Sequence, residues 1–232
     1  MTISAATLLA IWEVGVAQPP VARALALLEP LFPETAVADL PVGARDGLLL
    51  LVREWLFGAQ MECVAACPAC ATRLEFSVTT TALRALAPAM AVQQLEINGR
   101  QLAFRLPAST DLLALPPGPA AMRHLIERCL IDAPATLSEG ELTAIATAMA
   151  AADPLLDLQI ELTCPDCGHA WAAPFDVAGF VWQELDRWAR QALRDVHTLA
   201  RAYGWRESDI LALSPRRRAL YLQMVHDERS AG

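Results

Sequence analysis

The sequence predicts an α+β protein that is predominantly helical. Apolar residues recur at helical spacing near both ends of the chain, alternating segments occupy the middle, and two CPxC motifs each adjoin one alternating segment. With 232 residues, 55% of them hydrophobic and 19% charged, the chain can bury a core and is not a disordered or low-complexity protein. We expect N-terminal helices, a ribbon with a long α+β insertion, and a long C-terminal helix followed by short ones.

Residues 1–60 form the N-terminal helical segment in this prediction. Apolar residues follow a helical period over 2–17, where Pro19-Pro20 ends the helix, and again over 21–28. A third helix over 44–57 places Leu48, Leu51 and Trp55 on one face.

The middle segment, residues 61–175, begins with a predicted strand over 73–78, where polar and apolar residues alternate. A hairpin follows, because Asn98-Gly99 suits the positive φ angles of a type I′ turn. That turn sets the register, which pairs Leu95 with Leu102 and Gln93 with Phe104.

Two helices and a strand complete the middle segment. The first helix is predicted over 120–131, and the second is opened by a capping box of Ser138 and Glu141 and ends near Asp153. The strand over 156–163 then leads directly into Cys164.

Residues 176–232 form the C-terminal helical segment. Asp176 can cap a long amphipathic helix that runs to Tyr203, and Gly204 ends it as a C-cap. A short helix near 208–213 and a last one begun by Ser214-Pro215 follow.

Charge and hydropathy narrow the function classes. A net charge of −8 and a pI near 5.0 make nucleic acid an unlikely partner, because a basic face supplies most of the affinity for phosphates. No apolar run approaches the roughly 18 to 20 residues that a membrane span needs. No basic residue precedes Arg23, so we expect no signal peptide and a cytoplasmic protein.

The strongest chemical signal is a pair of CPxC motifs: Cys67-Pro68-Ala69-Cys70 and Cys164-Pro165-Asp166-Cys167. Both sulfurs of such a knuckle point to one centre, so two knuckles supply tetrahedral S₄ ligation for Zn²⁺. A redox CxxC would lie at a helix N-terminus, whereas strands or loops flank both pairs. We therefore predict a structural zinc ribbon with Cys67, Cys70, Cys164 and Cys167 as its ligands.

The spacing of the knuckles is unusual, because 93 residues separate Cys70 from Cys164, whereas about 15 to 20 are common. Lengthening the loop this far costs only about 1.5 kcal/mol. Structural Zn²⁺ contributes on the order of 10 to 16 kcal/mol in small peptides. The ribbon therefore tolerates an inserted segment, which we place at about 80–155.

The remaining candidate residues carry weaker signals. Cys63 and His169 are spare ligand candidates, and Cys129 fits a buried core thiol in an apolar helical run. The sequence has no P-loop, GxGxxG, GxSxG or HExxH motif, and a closed Cys₄ shell offers no open position for catalysis, so we expect a protein that is not an enzyme.

The C-terminal tail offers the best candidate for partner binding. Arg216 and Arg217 either bind an anionic partner or belong to a solvent-exposed first turn of the last helix. Trp205 of the same tail is either a core residue or an interface anchor, and Tyr221 is a further candidate for partner binding.

The chain resembles a known family almost from end to end. The matching segments are Trp12-Glu13-x-Gly15, Leu40-Pro41-x-Gly43-x-Arg45-Asp46, Phe57-Gly58, Asp153-Pro154, Phe175-Asp176, Val196-His197-x-Leu199-Ala200-x-x-Tyr203-Gly204-Trp205, Ile210-Leu211-x-Leu213 and Arg216-Arg217-x-x-Tyr221-Leu222. They resemble accessory proteins encoded with the baseplate genes of phage-tail-like contractile injection systems and related phages. These proteins are distantly similar to the baseplate hub assembly chaperones of T-even phages. Ala71 departs from the pattern, because such knuckles usually have Gly there.

The resemblance implies an assembly factor or structural component of a contractile baseplate, with baseplate, hub or spike proteins as partners. It implies a location in the cytoplasm or in an assembled phage-tail-like particle. The alternative from another class is a zinc-ribbon regulatory protein that binds nucleic acid, for which basic and aromatic residues should gather beside the ribbon.

Overall fold

The computed structural model describes residues 3–88, 92–97, 99–131 and 136–230, and these residues form an α+β protein that is predominantly helical, as predicted. The helices are α1 (Ala5–Val16), α2 (Pro20–Leu28), α3 (Val42–Phe57), α4 (Thr80–Arg84), α5 (Ser109–Leu113), α6 (Ala121–Cys129), α7 (Glu139–Ala152), α8 (Val177–Tyr203), α9 (Glu207–Leu211) and α10 (Pro215–Ser230). The strands are β1 (Gln60–Ala66), β2 (Arg73–Thr79), β3 (Gln93–Ile97), β4 (Arg100–Phe104), β5 (Gln159–Thr163) and β6 (Ala170–Pro174). Within these ranges, no helix combines the length and apolar character needed to cross a membrane.

The predicted helix ends are confirmed by their caps. The Asp176 carboxylate accepts the Gly179 N–H at 2.9 Å at the start of α8, and Gly204 ends that helix in the left-handed conformation with φ 68°. At the start of α7, Ser138 and Glu141 form the predicted capping box. A side-chain cap therefore fixes the start of α8, and a glycine in the left-handed conformation fixes its end.

The strands pair as three separate antiparallel hairpins. In the β3–β4 hairpin Leu95 lies opposite Leu102 and Gln93 opposite Phe104, which confirms the predicted register. Asn98, on which the predicted turn type depends, lies outside the described residues.

The prediction of one strand beside each CPxC knuckle was incomplete. Strand β1 pairs with β2, and β6 pairs with β5, so each knuckle forms the tip of its own hairpin. The predicted strand over 156–163 also began too early, because residues 154–157 form a turn and β5 starts at Gln159. Leu158, between the turn and β5, is buried in the larger core.

Two hydrophobic clusters account for most of the core. The larger one joins α1, α2, α3 and α8 and also receives Met61 and Cys63 from β1. The second lies within the predicted insertion, where Phe104, Ile126 and Ile145 are at most 1% exposed. The insertion therefore has apolar packing of its own, while the segment boundaries at residues 60 and 175 stay a prediction.

A buried polar cluster links α3 to the middle segment. We call it the α3 polar joint, and it consists of Gly43, Arg45, Asp46, Ser109 and Asp153. The Gly43 N–H donates to Asp153 Oδ2 at 2.8 Å, and Arg45 donates to Asp46 Oδ1 at 2.9 and 2.7 Å and to Ser109 Oγ at 3.0 Å. Burial raises the pKa of Asp46 to about 6 against the opposing effect of Arg45. The joint therefore holds charged groups where water is excluded.

Close packing at the joint predicts that Gly43→Ala is strongly destabilising. An added Cβ would lie 1.9 Å from Asp153 Oδ1 and 2.7 Å from Asp153 Cγ, so the buried carboxylate must move and lose the Gly43 N–H. We expect the free energy of unfolding, measured by urea titration, to fall by about 2 to 4 kcal/mol. Gly140→Ala on α7 meets no atom within 4 Å and serves as the matched control, with an expected change of about zero to a small gain. Equal effects of both substitutions would contradict a tightly packed joint.

Candidate metal centre

The two CPxC knuckles have the same backbone hydrogen bonds. In the first, the Ala71 N–H donates to the Cys67 carbonyl at 2.8 Å and the Cys67 N–H to the Thr72 carbonyl at 2.9 Å. In the second, the Gly168 N–H donates to the Cys164 carbonyl at 3.0 Å, and the Cys164 N–H to the His169 carbonyl at 2.9 Å. The hairpin strands thus close each knuckle into the same tight turn.

Ala71 adopts the conformation that its position in the turn demands. Its φ of 62° matches the 73° of Gly168 in the second knuckle, and among the described residues it is the one non-glycine residue at positive φ. The departure from glycine therefore does not change the turn. It costs on the order of 1 kcal/mol, which the surrounding hydrogen bonds must offset.

The hairpin tips bring the four predicted thiols together. The sulfur atoms of Cys67, Cys70, Cys164 and Cys167 all lie within 4.8 Å of one another, with 3.7 Å between Cys67 and Cys167 and 3.6 Å between Cys70 and Cys164. Tetrahedral thiolate ligation at about 2.3 Å per bond gives sulfur separations near 3.8 Å. All four cysteines are free thiols. The arrangement can hold one metal ion.

The surroundings of the sulfurs favour ionisation of one thiol and oppose that of another. Hydrogen bonds with the side chain and the backbone of Thr72 lower the pKa of Cys70 to about 6. At Cys167 the backbone hydrogen bond from His169 lowers the pKa, but the adjoining thiols of Cys70, Cys164 and Cys67 outweigh it and raise the pKa to about 12. Successive thiolates therefore repel one another until a cation neutralises them.

A second layer of contacts links the two knuckles. The Thr72 hydroxyl donates to Asp166 Oδ2 at 2.8 Å, across the centre, and lies 3.3 Å from the Cys70 sulfur. The Trp171 ring packs on the buried cluster of Cys67, Leu74 and Cys164. These contacts orient the sulfurs and cover the buried side of the centre.

Neither spare ligand candidate belongs to the group of converging thiols. Cys63 is buried in the larger core, where its sulfur donates to the Met61 carbonyl at 3.7 Å and burial raises the pKa of the thiol. The ring of His169 instead stacks on Trp171, with 6.1 Å between centroids. Cys129 is fully buried, as predicted for a core thiol, and burial raises its pKa to about 11. Across the described parts of the chain, no second group of three or more potential ligands converges in this way.

The predicted partner-binding residues lie together at the C-terminal end of the structure. Trp205 stacks on Tyr203 with 4.7 Å between centroids and meets Tyr221 edge-on at 4.9 Å, so these rings join α8, the loop that follows it, and α10. Arg216 and Arg217 are exposed on the first turn of α10. The partner-binding role of these residues stays a prediction.

Comparison with protein-family models, with curated proteins and with solved structures found no match to this chain.

The contact layer predicts that Thr72→Val weakens metal binding. The substitution removes the hydroxyl that contacts both Cys70 and Asp166, so we expect roughly tenfold lower affinity for Co²⁺, read from the visible absorption of the tetrahedral thiolate complex. Thr163→Val is the control and should leave the Co²⁺ affinity unchanged. Thr163 is exposed and directly precedes Cys164, just as Thr72 lies close in sequence to Cys70. Unchanged Co²⁺ affinity in Thr72→Val would show that the hydroxyl does not support the centre.

Proposed function

We propose that this protein is a non-enzymatic assembly factor or structural component of a phage-tail-like contractile baseplate, stabilised by one structural Zn²⁺. The observation that carries the zinc part of the proposal is the convergence of four thiols from two hairpins far apart in sequence, and the baseplate part rests on the resemblance. Cys67, Cys70, Cys164 and Cys167 would be the zinc ligands.

Zinc fits the centre better than other common ions do. Thiolates are soft ligands, and four of them in tetrahedral arrangement favour Zn²⁺ over Mg²⁺ or Ca²⁺, which prefer oxygen. Four protein ligands complete the shell and leave no position for a reacting water, so the ion would stabilise structure and the protein would not act as a metal hydrolase.

The role of the ion would be to fasten two halves of the chain. The first hairpin follows α3 directly, and the second hairpin runs into α8. A structural zinc bond supplies on the order of 10 kcal/mol, which exceeds the cost of closing the long loop between the knuckles. The two hairpins, joined by the ion, would then hold the inserted segment at both of its ends.

The baseplate role is supported by the resemblance and by where its residues lie. Gly43, Arg45, Asp46 and Asp153 come from two matching segments that are far apart in sequence, and they meet in the α3 polar joint. Tyr203, Trp205 and Tyr221 from two others form one aromatic cluster. These residues would preserve a scaffold whose surfaces bind baseplate, hub or spike proteins.

The tail helix α10 would supply one docking surface. Leu220 and Met224 are about half exposed on this helix, at 50% and 51%, and Arg216 and Arg217 are exposed at its start. Exposed apolar side chains next to arginines are typical of protein interfaces.

The nucleic-acid alternative has less support from the charges near the knuckles. Arg73 pairs with Glu75 at 3.4 Å, and Asp166 adds a negative charge beside the centre. Phosphate binding needs surplus positive charge at this surface. A regulatory zinc ribbon that binds nucleic acid is therefore a weaker candidate than the baseplate role. Salt-dependent binding of DNA or RNA would favour it.

The zinc proposal predicts about one zinc per chain when the protein is purified without added metal. Cys164→Ser should lose the ion and lower the midpoint of thermal unfolding, because an incomplete shell binds zinc poorly. Cys63→Ser is the control and should keep the metal, since the Cys63 sulfur lies in the core away from the centre. Elemental analysis by mass spectrometry measures the zinc content of each variant, and a thermal melt measures the midpoint of unfolding. Metal-free wild-type protein with an unchanged melting temperature would contradict the proposal.

The assembly proposal predicts a stable complex when the tagged protein is co-expressed with the hub, spike and other baseplate proteins of its own cluster. Arg216→Glu/Arg217→Glu should reduce recovery of the partner about tenfold, because it reverses two exposed charges on the docking helix. Arg100→Gln on strand β4 is the control, because it removes a charge outside α10 and places no acid beside Glu141, with which Arg100 pairs at 3.7 Å. Recovery of the tagged protein alone from this complete set would contradict the baseplate role.

A further inference from the structure

An open groove lies between the N-terminal helices and α8. Its volume is about 580 Å³, and it is lined by Val16, Arg23, Trp182, Gln183, Asp186, Arg187 and Arg190. We call it the arginine groove. Its lining includes none of the four thiols and no residue of α10.

Positive charge in the arginine groove exceeds negative charge. Three guanidinium groups face one carboxylate, and that carboxylate of Asp186 already accepts hydrogen bonds from Trp12 Nε1 at 2.9 Å and Arg190 Nε at 2.8 Å. Arg187 has no hydrogen-bond or ion-pair partner among the described residues, and the buried Nε of Arg23 has no hydrogen-bond partner there either. The groove therefore carries a local surplus of positive charge on a chain whose net charge is −8.

The groove is held in shape by buried contacts. Trp182 is 8% exposed, and the Arg23 guanidinium lies 5.4 Å from the centre of its ring. Gly15 makes this packing possible, because a Cβ there would lie 2.4 Å from the Trp182 ring. The hydrogen bonds from Trp12 and Arg190 also fix Asp186 and keep the pKa of its carboxyl low, so that it stays charged. Arg23, which also donates to the Val16 carbonyl at 3.3 Å, and Arg190 are therefore held in place before a ligand binds.

We infer that the arginine groove docks a carboxylate-rich segment of a protein partner, with an apolar residue beside the acidic ones. A planar guanidinium binds a carboxylate through two parallel hydrogen bonds, and the exposed Arg187, which has no partner among the described residues, offers such a pair of donors while Arg23 adds positive charge beside it. Val16, which is 37% exposed in the groove wall, offers contact to the apolar residue. The inference deepens the proposed docking function and rests on it.

Charge distribution favours a peptide over a nucleic acid in this groove. The groove offers three arginines, from α2 and α8, on a chain that is acidic overall. A short acidic segment needs only a few such contacts, whereas the affinity for a nucleic acid depends on many phosphate contacts along a basic face.

The test measures binding of a rhodamine-labelled peptide, Gly-Asp-Glu-Leu-Glu-Asp-Gly, to the zinc-loaded full chain by fluorescence anisotropy. A peptide with Asn and Gln in place of the acids is the matched probe. We expect the acidic peptide to bind, the neutral one to bind at least tenfold more weakly, and added salt to weaken binding.

Arg187→Glu should reduce the affinity for the acidic peptide about tenfold or more, and Arg23→Gln several-fold. Arg201→Glu makes the same charge change on an exposed site of α8, about 21 Å along the helix from Arg187, and should leave affinity within twofold.

Three results would overturn the inference. They are equal binding of the two peptides, an equal loss of affinity in Arg201→Glu and Arg187→Glu, and displacement of the peptide by a single-stranded oligonucleotide that binds more tightly. A chain that fails to bind the peptide but still recovers baseplate proteins would overturn the groove alone. A chain that binds the peptide through Arg187 but recovers no baseplate protein would support the groove and contradict the baseplate role.

Discussion

The structure depends on bringing together two hairpin tips, separated by 93 residues of sequence, so that their four sulfurs lie within 4.8 Å of one another and could hold one ion. The hairpins can meet because their bases are held together as well. The first hairpin leaves the end of α3 and the second enters the start of α8, and the buried Arg53 of α3 binds Glu184 of α8 at 2.8 and 3.0 Å. Arg53 also donates to the Gly58 carbonyl, where the first hairpin begins. The thiol centre and this ion pair thus fix the two hairpins at opposite ends.

Local rules in the sequence predict much of the fold. The CPxC spacing identified the four thiols that converge, Asn98-Gly99 identified the β3–β4 register, and Asp176 and Gly204 identified the ends of α8. Each of these signals acts within a few residues, so no tertiary context is needed to read it. The strands β1 and β6 were missed because their pairing depends on the knuckle turn between each strand and its partner. An alternating pattern is visible in β1 only once the burial of Met61 and Cys63 is known.

The contacts that a sequence cannot reveal are those between distant polar residues. Nothing near Asp153 indicates that its carboxylate is fully buried against the backbone of Gly43, or that its Oδ1 has no hydrogen-bond partner among the described groups. The same holds for Trp12 and Asp186, which are joined across the groove floor. Buried polar contacts of this kind are costly when half satisfied, and they are kept where they fix one arrangement of packed elements. Here they fix how α3 meets the insertion and how α1 meets α8.

The two knuckles are chemically alike but not equal in backbone freedom. Gly168 enters the left-handed conformation without strain, whereas Ala71 pays a steric cost to do so. During synthesis on the ribosome the strained knuckle emerges first, and its two thiols must wait for almost a hundred more residues before the other pair appears. The insertion is therefore translated before the second knuckle. It can begin to pack its own apolar cluster before the four-thiol centre can form.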